Sequence, residues 1–99
     1  MTFKIEYSPE VEDHLRELTR RDRAIVLDAV DRHLTHQPLI ETRNRKPMRP
    51  NPVAPWELRI GALRVYYDVE EEPELKVIIV AVGVKHRNQV QIGKEIVEL

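Results

Sequence analysis

Arg59 and Arg64 lie on either side of a Gly-Ala dipeptide, and their spacing could bring two guanidinium groups together. Residues 56–68 are predicted to form two short strands joined by this dipeptide, because Gly stands where a type II′ turn prefers it. The resulting register places the two arginines directly opposite each other, where like charges repel. An anion lying across the hairpin would remove that cost, because a guanidinium group binds phosphate through two parallel hydrogen bonds. The hairpin is therefore a candidate anion site.

The same register divides the hairpin into two faces, because successive side chains of a strand point to opposite sides. One face is apolar and comprises Trp56, Leu58, Ile60, Leu63, Val65 and Tyr67. The other face is polar and comprises Glu57, Arg59, Arg64, Tyr66 and Asp68. A second interpretation stays open, in which Glu57 and Asp68 neutralise the arginines from diagonal positions. In that interpretation no ligand is needed, and Glu57 is an ion-pair partner rather than a general base.

A second cationic cluster, Lys85-His86-Arg87, follows the apolar segment 75–82. If that segment is the strand beside the hairpin, its end could reach the same site as the two arginines. His86 is the only histidine in this half of the chain. Imidazole is the side chain best suited to carry a proton near neutral pH. An exposed, inert histidine is the alternative interpretation.

Together these residues could cleave RNA by activating the 2′-hydroxyl beside the broken phosphodiester. That reaction needs a base for the hydroxyl, cations for the crowded phosphate and an acid for the leaving oxygen. Tyr66 shares the polar face and could stack on a nucleobase or donate a hydrogen bond. The residues assigned to catalysis are Arg59, Arg64, Lys85, His86 and Arg87.

Charge is unevenly placed along the chain, although the formal net charge is only -1. That total argues against a protein coated in positive charge for duplex binding. Segment 43–64 nevertheless carries six cations and a single acid, Glu57, so a local basic zone could still bind nucleic acid. The predicted RNA-binding residues are Arg43, Arg45, Lys46, Arg49 and Tyr66. The acids of segment 68–74 are most simply a solvated turn.

The composition limits the class of protein. The 99 residues suffice for one domain, 1–99, with one modest core, and the absence of cysteine excludes disulfides and thiolate metal sites. No apolar run approaches a membrane span and no signal-peptide pattern begins the chain, so we expect a cytoplasmic protein without a membrane partner. No cofactor is expected. His33 and His36 have a spacing that can bind a metal, but without carboxylate ligands a cation at the helix end is the preferred interpretation.

The first third of the chain predicts a strand and two helices. Residues 3–7 alternate in polarity, as in a half-buried strand. Ser8-Pro9 then supplies an N-cap and a first helical position, and His14 is expected on the solvated rim of this helix. The basic cluster 20–23 is expected to be a tight corner before a second helix, which ends ahead of Pro38.

The remaining sequence predicts a long loop and further strands. Segment 37–55 contains five prolines and is expected to be a stiff, basic wall beside the hairpin. Segment 75–82 is apolar on both faces, which is typical of a central strand. In the tail, Val90 and Ile92 suggest a short strand, whereas 94–99 could form a helical turn or two. The order predicts an α+β fold with an N-terminal strand, a helical hairpin on one face of the sheet and a three-stranded antiparallel meander.

The hairpin 56–67, WELRIGALRVYY, and the later segment 77–87, VIIVAVGVKHR, resemble the RelE/ParE superfamily of toxins from bacterial type II toxin–antitoxin systems. The resemblance implies a RelE-like fold over nearly the whole chain. It also implies inhibition by a cognate antitoxin that wraps around the toxin. One branch of the superfamily cleaves mRNA on the ribosome without a metal, whereas another poisons DNA gyrase.

Carried onto this sequence, the basic positions of the nuclease branch correspond to Arg59, Arg64 and Lys85, and Arg87 lies close to the last of these. Two positions depart from the pattern. Gln91 stands where nuclease members often have a tyrosine or histidine, and Glu57 occupies a second basic position.

The leading hypothesis is a metal-independent mRNA endoribonuclease toxin that inhibits translation, with His86 as the substitute proton carrier. Its partners would be a cognate antitoxin and mRNA on the ribosome. The alternatives are a non-enzymatic toxin that inhibits DNA gyrase, and an inactive domain that only binds its antitoxin.

Overall fold

Residues 1–99, all described by the computed structural model, form one seven-stranded sheet with two helices on one of its faces. The elements are β1 (Lys4–Tyr7), α1 (Glu10–Arg16), α2 (Arg20–Leu34), β2 (Arg45–Pro47), β3 (Trp56–Ile60), β4 (Leu63–Glu70), β5 (Lys76–His86), β6 (Gln89–Ile92) and β7 (Glu95–Glu98). Neither helix is both long and apolar enough to cross a membrane. The predicted α+β class and the order of strand, helical hairpin and antiparallel meander are confirmed.

Strand β5 lies in the middle of the sheet, as its apolar sequence predicted. Strands β2 to β7 follow one another in antiparallel order. β1 runs parallel to the first half of β5, and β6 pairs with the second half from Gly83 to His86. The meander is longer than the three predicted strands, because β2 precedes it and β6 and β7 extend it. The predicted short tail strand is β6, but the expected helical turn at 94–99 is wrong, because β7 pairs there and Val97 packs against buried residues.

The β3–β4 hairpin has the predicted register, with Arg59 opposite Arg64 and Glu57 opposite Tyr66. Gly61 has a φ of 57°, whereas Ala62 does not enter the left-handed region. A positive φ at only the first central residue is the signature of the predicted type II′ turn.

The helix boundaries differ from the sequence prediction at two places. The Thr19 side chain accepts a hydrogen bond from the Asp22 N–H, so cluster 20–23 forms the first turn of α2 rather than a corner. Helix α1 begins after Pro9 without a side-chain cap, and Ser8 contributes only its carbonyl to the Val11 N–H. Both helices nevertheless bury the predicted apolar residues, including Val11, Val26 and Val30.

A bulge in β5 decides which of its side chains face the helices. Tyr66 pairs with Ala81 and Tyr67 with Ile79, so Val80 is the extra residue. Before the bulge, Val77 and Ile79 belong to the core under the helices. After it, Val82 belongs to that core while Ala81 lies in a second cluster. The bulge therefore shifts the alternation by one residue along the rest of β5.

The second face of the sheet is covered by residues 47–55, which we call the strap. A hydrogen bond of 2.8 Å from the Met48 N–H to the Pro55 carbonyl closes this loop. Ala54 of the strap packs with residues of β4, β5 and β6, and Met48 and Val53 pack against the same cluster. The buried members of this second core are Ala54, Tyr66, Ala81, Val90 and Ile92. The hairpin face predicted to be polar and open is therefore partly enclosed.

Candidate anion-binding cleft

Three cations from separate parts of the chain line one cleft with a volume of about 430 Å³. Arg49 comes from the strap, Arg59 from β3 and Lys85 from the end of β5. The full lining is Pro47, Met48, Arg49, Pro50, Asn51, Glu57, Arg59, Lys85, Asn88, Val90 and Leu99. Glu57 is the only carboxylate side chain among these residues, so the cleft is suited to bind an anion.

Hydrogen bonds to the backbone fix the strand positions that carry two of these cations. The Lys85 N–H donates to the Ala62 carbonyl at 2.8 Å, which fastens the end of β5 to the hairpin turn. The Arg59 N–H donates to the Asn44 carbonyl, and the Asn44 side chain donates to the Arg59 carbonyl, both at 2.8 Å. These contacts fix the strands, while the exposed ends of the side chains stay free to meet a ligand.

Asn51 organises the strap, and with it the position of Arg49. Its Nδ2 donates to the carbonyls of Arg49 and Ala54 at 2.7 and 2.9 Å. Its Oδ1 accepts from the N–H groups of Val53 and Ala54. This is the local pattern expected of Asn in a turn that contains several prolines. Arg49 therefore stands on a braced loop rather than on a mobile linker.

Glu57, in the wall of the cleft, neutralises the opposed arginines. Its side chain is only 9% exposed, and Oε1 accepts from Arg59 Nε at 2.6 Å. Arg64 Nε lies 3.9 Å from Oε2, and Arg64 Nη1 donates to the carbonyls of Gly61 and Leu63. The interpretation that Glu57 compensates the pair is confirmed. Asp68 takes no part, because it is exposed and its carboxylate accepts from the Val69 N–H.

The two arginines therefore differ in how much of each is available to a ligand. The Arg64 side chain is 11% exposed and its Nη1 is bound to two carbonyls. The Arg59 side chain is 46% exposed, and only its Nε is bonded within the protein. Arg59 can thus offer both terminal nitrogens to an anion, whereas Arg64 acts from inside the hairpin.

Tyr66 is fully buried, so the expectation that it stacks on a nucleobase is wrong. The strap covers it, and its hydroxyl, which lies near Glu57, makes no hydrogen bond of ordinary geometry. Burial, followed by the negative charge of Glu57, raises the pKa of Tyr66 well above its usual range. An unpaired buried hydroxyl costs about 1–3 kcal/mol. Arg64 Nε is buried without a hydrogen-bond partner too.

The other predicted RNA-binding cations lie outside the cleft. Arg45 is buried and donates to the carbonyls of His33 and Ile40 at 2.7 and 2.9 Å. It joins the loop to the end of α2, so the prediction that Arg45 contacts RNA is wrong. Lys46 Nζ lies 3.3 Å from a Glu41 carboxylate oxygen. Arg43 is exposed but is not among the residues that line the cleft.

His86 does not join the cleft, although Lys85 precedes it directly. It lines a small hollow of about 70 Å³ against α1, together with His14 and Gln91. The expectation that His86 acts beside the arginines is therefore wrong, because neighbouring residues of a strand point to opposite faces. Arg87 follows in the turn after β5 with a φ of 59°, and it is not among the cleft-lining residues either.

His14 is a structural acceptor rather than a solvated rim residue. Its Nδ1 accepts a hydrogen bond of 3.3 Å from the Val82 N–H just past the bulge. Burial lowers the pKa of His14, and the acids Glu10, Asp13 and Glu95 partly oppose this. Sequence periodicity placed His14 on α1, but it could not predict the hydrogen bond from the Val82 N–H, because that contact depends on the bulge in β5.

The surroundings of His33 disfavour its charged form, which argues against the helix-end cation that the sequence suggested. Burial and the positive charges of Arg32 and Arg45 lower the pKa of His33, whereas Asp28 raises it. No group of three His, Asp or Glu side chains is placed to hold a metal ion.

Among known proteins, the likeness that we describe is structural. No family model and no curated protein matches the sequence. A chain in the crystal structure of the toxin–antitoxin complex RelBE2 from Mycobacterium tuberculosis superposes with a TM-score of 0.73 at 24% identity. The match covers 86% of the present chain and 100% of that chain. The two chains share a fold, which confirms the RelE-like architecture.

Proposed function

We propose that this protein is the toxin of a type II toxin–antitoxin pair and that its cleft binds and cleaves mRNA without a metal. The observation that carries the proposal is the convergence of Arg49, Arg59 and Lys85 on one cleft from three separate elements. The fold shared with a chain of a toxin–antitoxin complex supports it. The proposed partners of the protein are RNA on the ribosome and a cognate antitoxin that blocks the cleft.

The chemistry assigned to the cleft is phosphodiester cleavage by the adjacent 2′-hydroxyl. Arg59 and Lys85 hold the phosphate and stabilise the negative charge that develops on it in the transition state. Glu57, the only carboxylate side chain lining the cleft, accepts the proton of the hydroxyl once phosphate engages Arg59. Lys85 donates a proton to the leaving oxygen. His86 has no role in this scheme, because it lies across the sheet.

Purified protein mixed with end-labelled mRNA tests this proposal, with and without ribosomes and in the presence of a chelator. We expect cuts that persist in chelator and that disappear in Lys85→Ala and Glu57→Gln. Expression in cells should stop incorporation of labelled amino acid before that of labelled nucleotide. Intact mRNA together with unchanged translation would refute the nuclease.

The second candidate is a non-enzymatic toxin that inhibits DNA gyrase. Two observations favour it: Arg64 is bound inside the hairpin, and Gln91 stands on the His86 side of the sheet, away from the cleft. In this alternative the cationic cleft docks on a protein surface and cuts nothing. Early arrest of DNA synthesis with intact mRNA would support it, whereas normal growth would indicate an inactive domain that only binds its antitoxin.

A further inference from the structure

Two buried polar groups next to Glu57 have no hydrogen-bond partner. They are the Tyr66 hydroxyl and Arg64 Nε. Tyr66 stands directly opposite Glu57 in the hairpin, on the same face of the sheet, and Arg64 Nε lies 3.9 Å from Glu57 Oε2. Both groups are donors, and both lie beside the Glu57 carboxylate, which can accept from them. Buried donors are rarely left unpaired, so each of these two groups calls for an explanation.

The three donors around Glu57 differ in their freedom to move. Arg64 is fixed, because its Nη1 donates to the carbonyls of Gly61 and Leu63. Tyr66 is fixed by its burial under the strap. Arg59, at 2.6 Å from Glu57 Oε1, is the exposed member and the only one of the three that lines the cleft. An anion that binds the free terminal nitrogens of Arg59 can therefore draw this side chain away from Glu57, whereas it reaches neither of the other two donors.

A buried carboxylate that loses its partner is strongly unfavourable. We propose that Glu57 exchanges partners: when phosphate draws Arg59 into the cleft, Glu57 Oε2 accepts from the Tyr66 hydroxyl and Arg64 Nε, and Oε1, released by Arg59, stays available as the base. Arg64 and Tyr66 are positioning residues in this exchange, because they touch Glu57 and not the ligand. The exchange rests on the proposed function only for its trigger, the binding of RNA phosphate.

The variant Arg59→Ala tests the exchange without any ligand, because it removes the first partner of Glu57. In the parent protein, Tyr66→Phe should not lower the urea midpoint of unfolding and should tend to raise it, since the hydroxyl that it removes is buried and unpaired there. In the Arg59→Ala background, the same substitution should lower the midpoint. The Arg64 Nε–H should also exchange with solvent at least tenfold more slowly in Arg59→Ala than in the parent, as followed by NMR. An equal effect of Tyr66→Phe in both backgrounds, or an unchanged Arg64 exchange rate, overturns the proposal.

Tyr67→Phe is the matched control, because the Tyr67 hydroxyl already donates to the Pro38 carbonyl at 2.7 Å. It should lower the midpoint by the same amount in both backgrounds.

A second experiment adds a 2′-O-methyl oligoribonucleotide, which cannot be cleaved, to the parent protein. Movement of the Arg64 Nε–H resonance to its position in Arg59→Ala supports the exchange, and binding without that movement overturns it. If the variant arm succeeds and the oligonucleotide does not bind, the exchange stands and the proposed function fails.

Discussion

Lys85 and His86 are adjacent in sequence but serve opposite faces of the sheet. Lys85 lines the cationic cleft beneath the strap, and His86 lines the hollow beside α1. The Val80 bulge sets this outcome, because it shifts the alternation of β5 by one residue before the strand ends. A single position in the chain thus decides which of two chemically plausible side chains can meet an anion bound between Arg49 and Arg59.

Lys85→Ala should weaken binding of single-stranded RNA by about tenfold, because it removes a charge-assisted contact with phosphate. The slope of log affinity against log salt should fall by about 0.7, the value for one phosphate contact on a single strand. Fluorescence anisotropy at several salt concentrations measures both quantities. Lys4→Ala is the matched control, because Lys4 is an exposed strand lysine that does not line the cleft. Equal losses in the two variants would contradict the assignment of the cleft.

His86→Ala should retain RNA binding and cleavage at the parent level, because its side chain lies across the sheet from the cations. The rate of cleavage of a labelled oligoribonucleotide measures this at several pH values. A loss of cleavage with normal binding would show that His86 carries the proton after all. Such a result would also imply that the end of β5 rearranges when RNA binds.

Much of this arrangement is readable from the sequence, and the exceptions have physical causes. The hairpin register, the type II′ turn and the central position of β5 follow from local alternation and one glycine, which act over a few residues. The bulge at Val80 and the strap over Tyr66 depend on contacts between distant segments, which periodicity does not report. Arg45 illustrates the same limit, because an arginine that caps a helix and one that binds RNA look alike in sequence.

Glu57→Leu should destabilise the fold by about 3 kcal/mol, because it leaves the largely buried Arg64 guanidinium without its counter-ion. Urea unfolding followed by tryptophan fluorescence measures the change. Glu41→Leu is the control, because Glu41 belongs to an exposed ion pair with Lys46 and such pairs contribute at most about 1 kcal/mol. A cost for Glu57→Leu as small as that of the control would mean that Arg64 does not depend on the carboxylate.

Gly83→Ala should destabilise the pairing of β5 with β6. A Cβ at this position would lie 2.4 Å from the Gln91 carbonyl oxygen, and the side chains of Val90 and Ile92 crowd it as well. A backbone oxygen cannot move aside without breaking the strand pair, so we expect a loss of about 2–4 kcal/mol, as in other overpacked or strained sites. Gly61→Ala is the contrast, because the space around Gly61 is open and the alanine would be strained only by the positive φ. A smaller loss at Gly83 than at Gly61 would contradict the close approach of β6.

Stability should fall on acidification because His14 accepts the Val82 N–H only while its Nδ1 is unprotonated. Burial lowers the pKa of His14 in the folded protein, so the unfolded chain binds the proton more readily. The stabilisation by neutral His14 is therefore complete above about pH 6.5, the pKa of histidine in the unfolded chain. It is lost as the pH falls through the lower pKa that His14 has in the folded protein. Free energies of unfolding measured in urea between about pH 5 and pH 8 report this slope.

His14→Gln should flatten that slope, because glutamine can accept a hydrogen bond and does not titrate. The pKa of His33 is lowered as well, so His33→Gln should remove a further part of the same pH dependence. The acids facing His14, namely Glu10, Asp13 and Glu95, oppose the shift, so neutralising Glu10 should steepen the slope. An unchanged slope in the double variant His14→Gln/His33→Gln would show that groups other than these two histidines set the acid sensitivity of the fold.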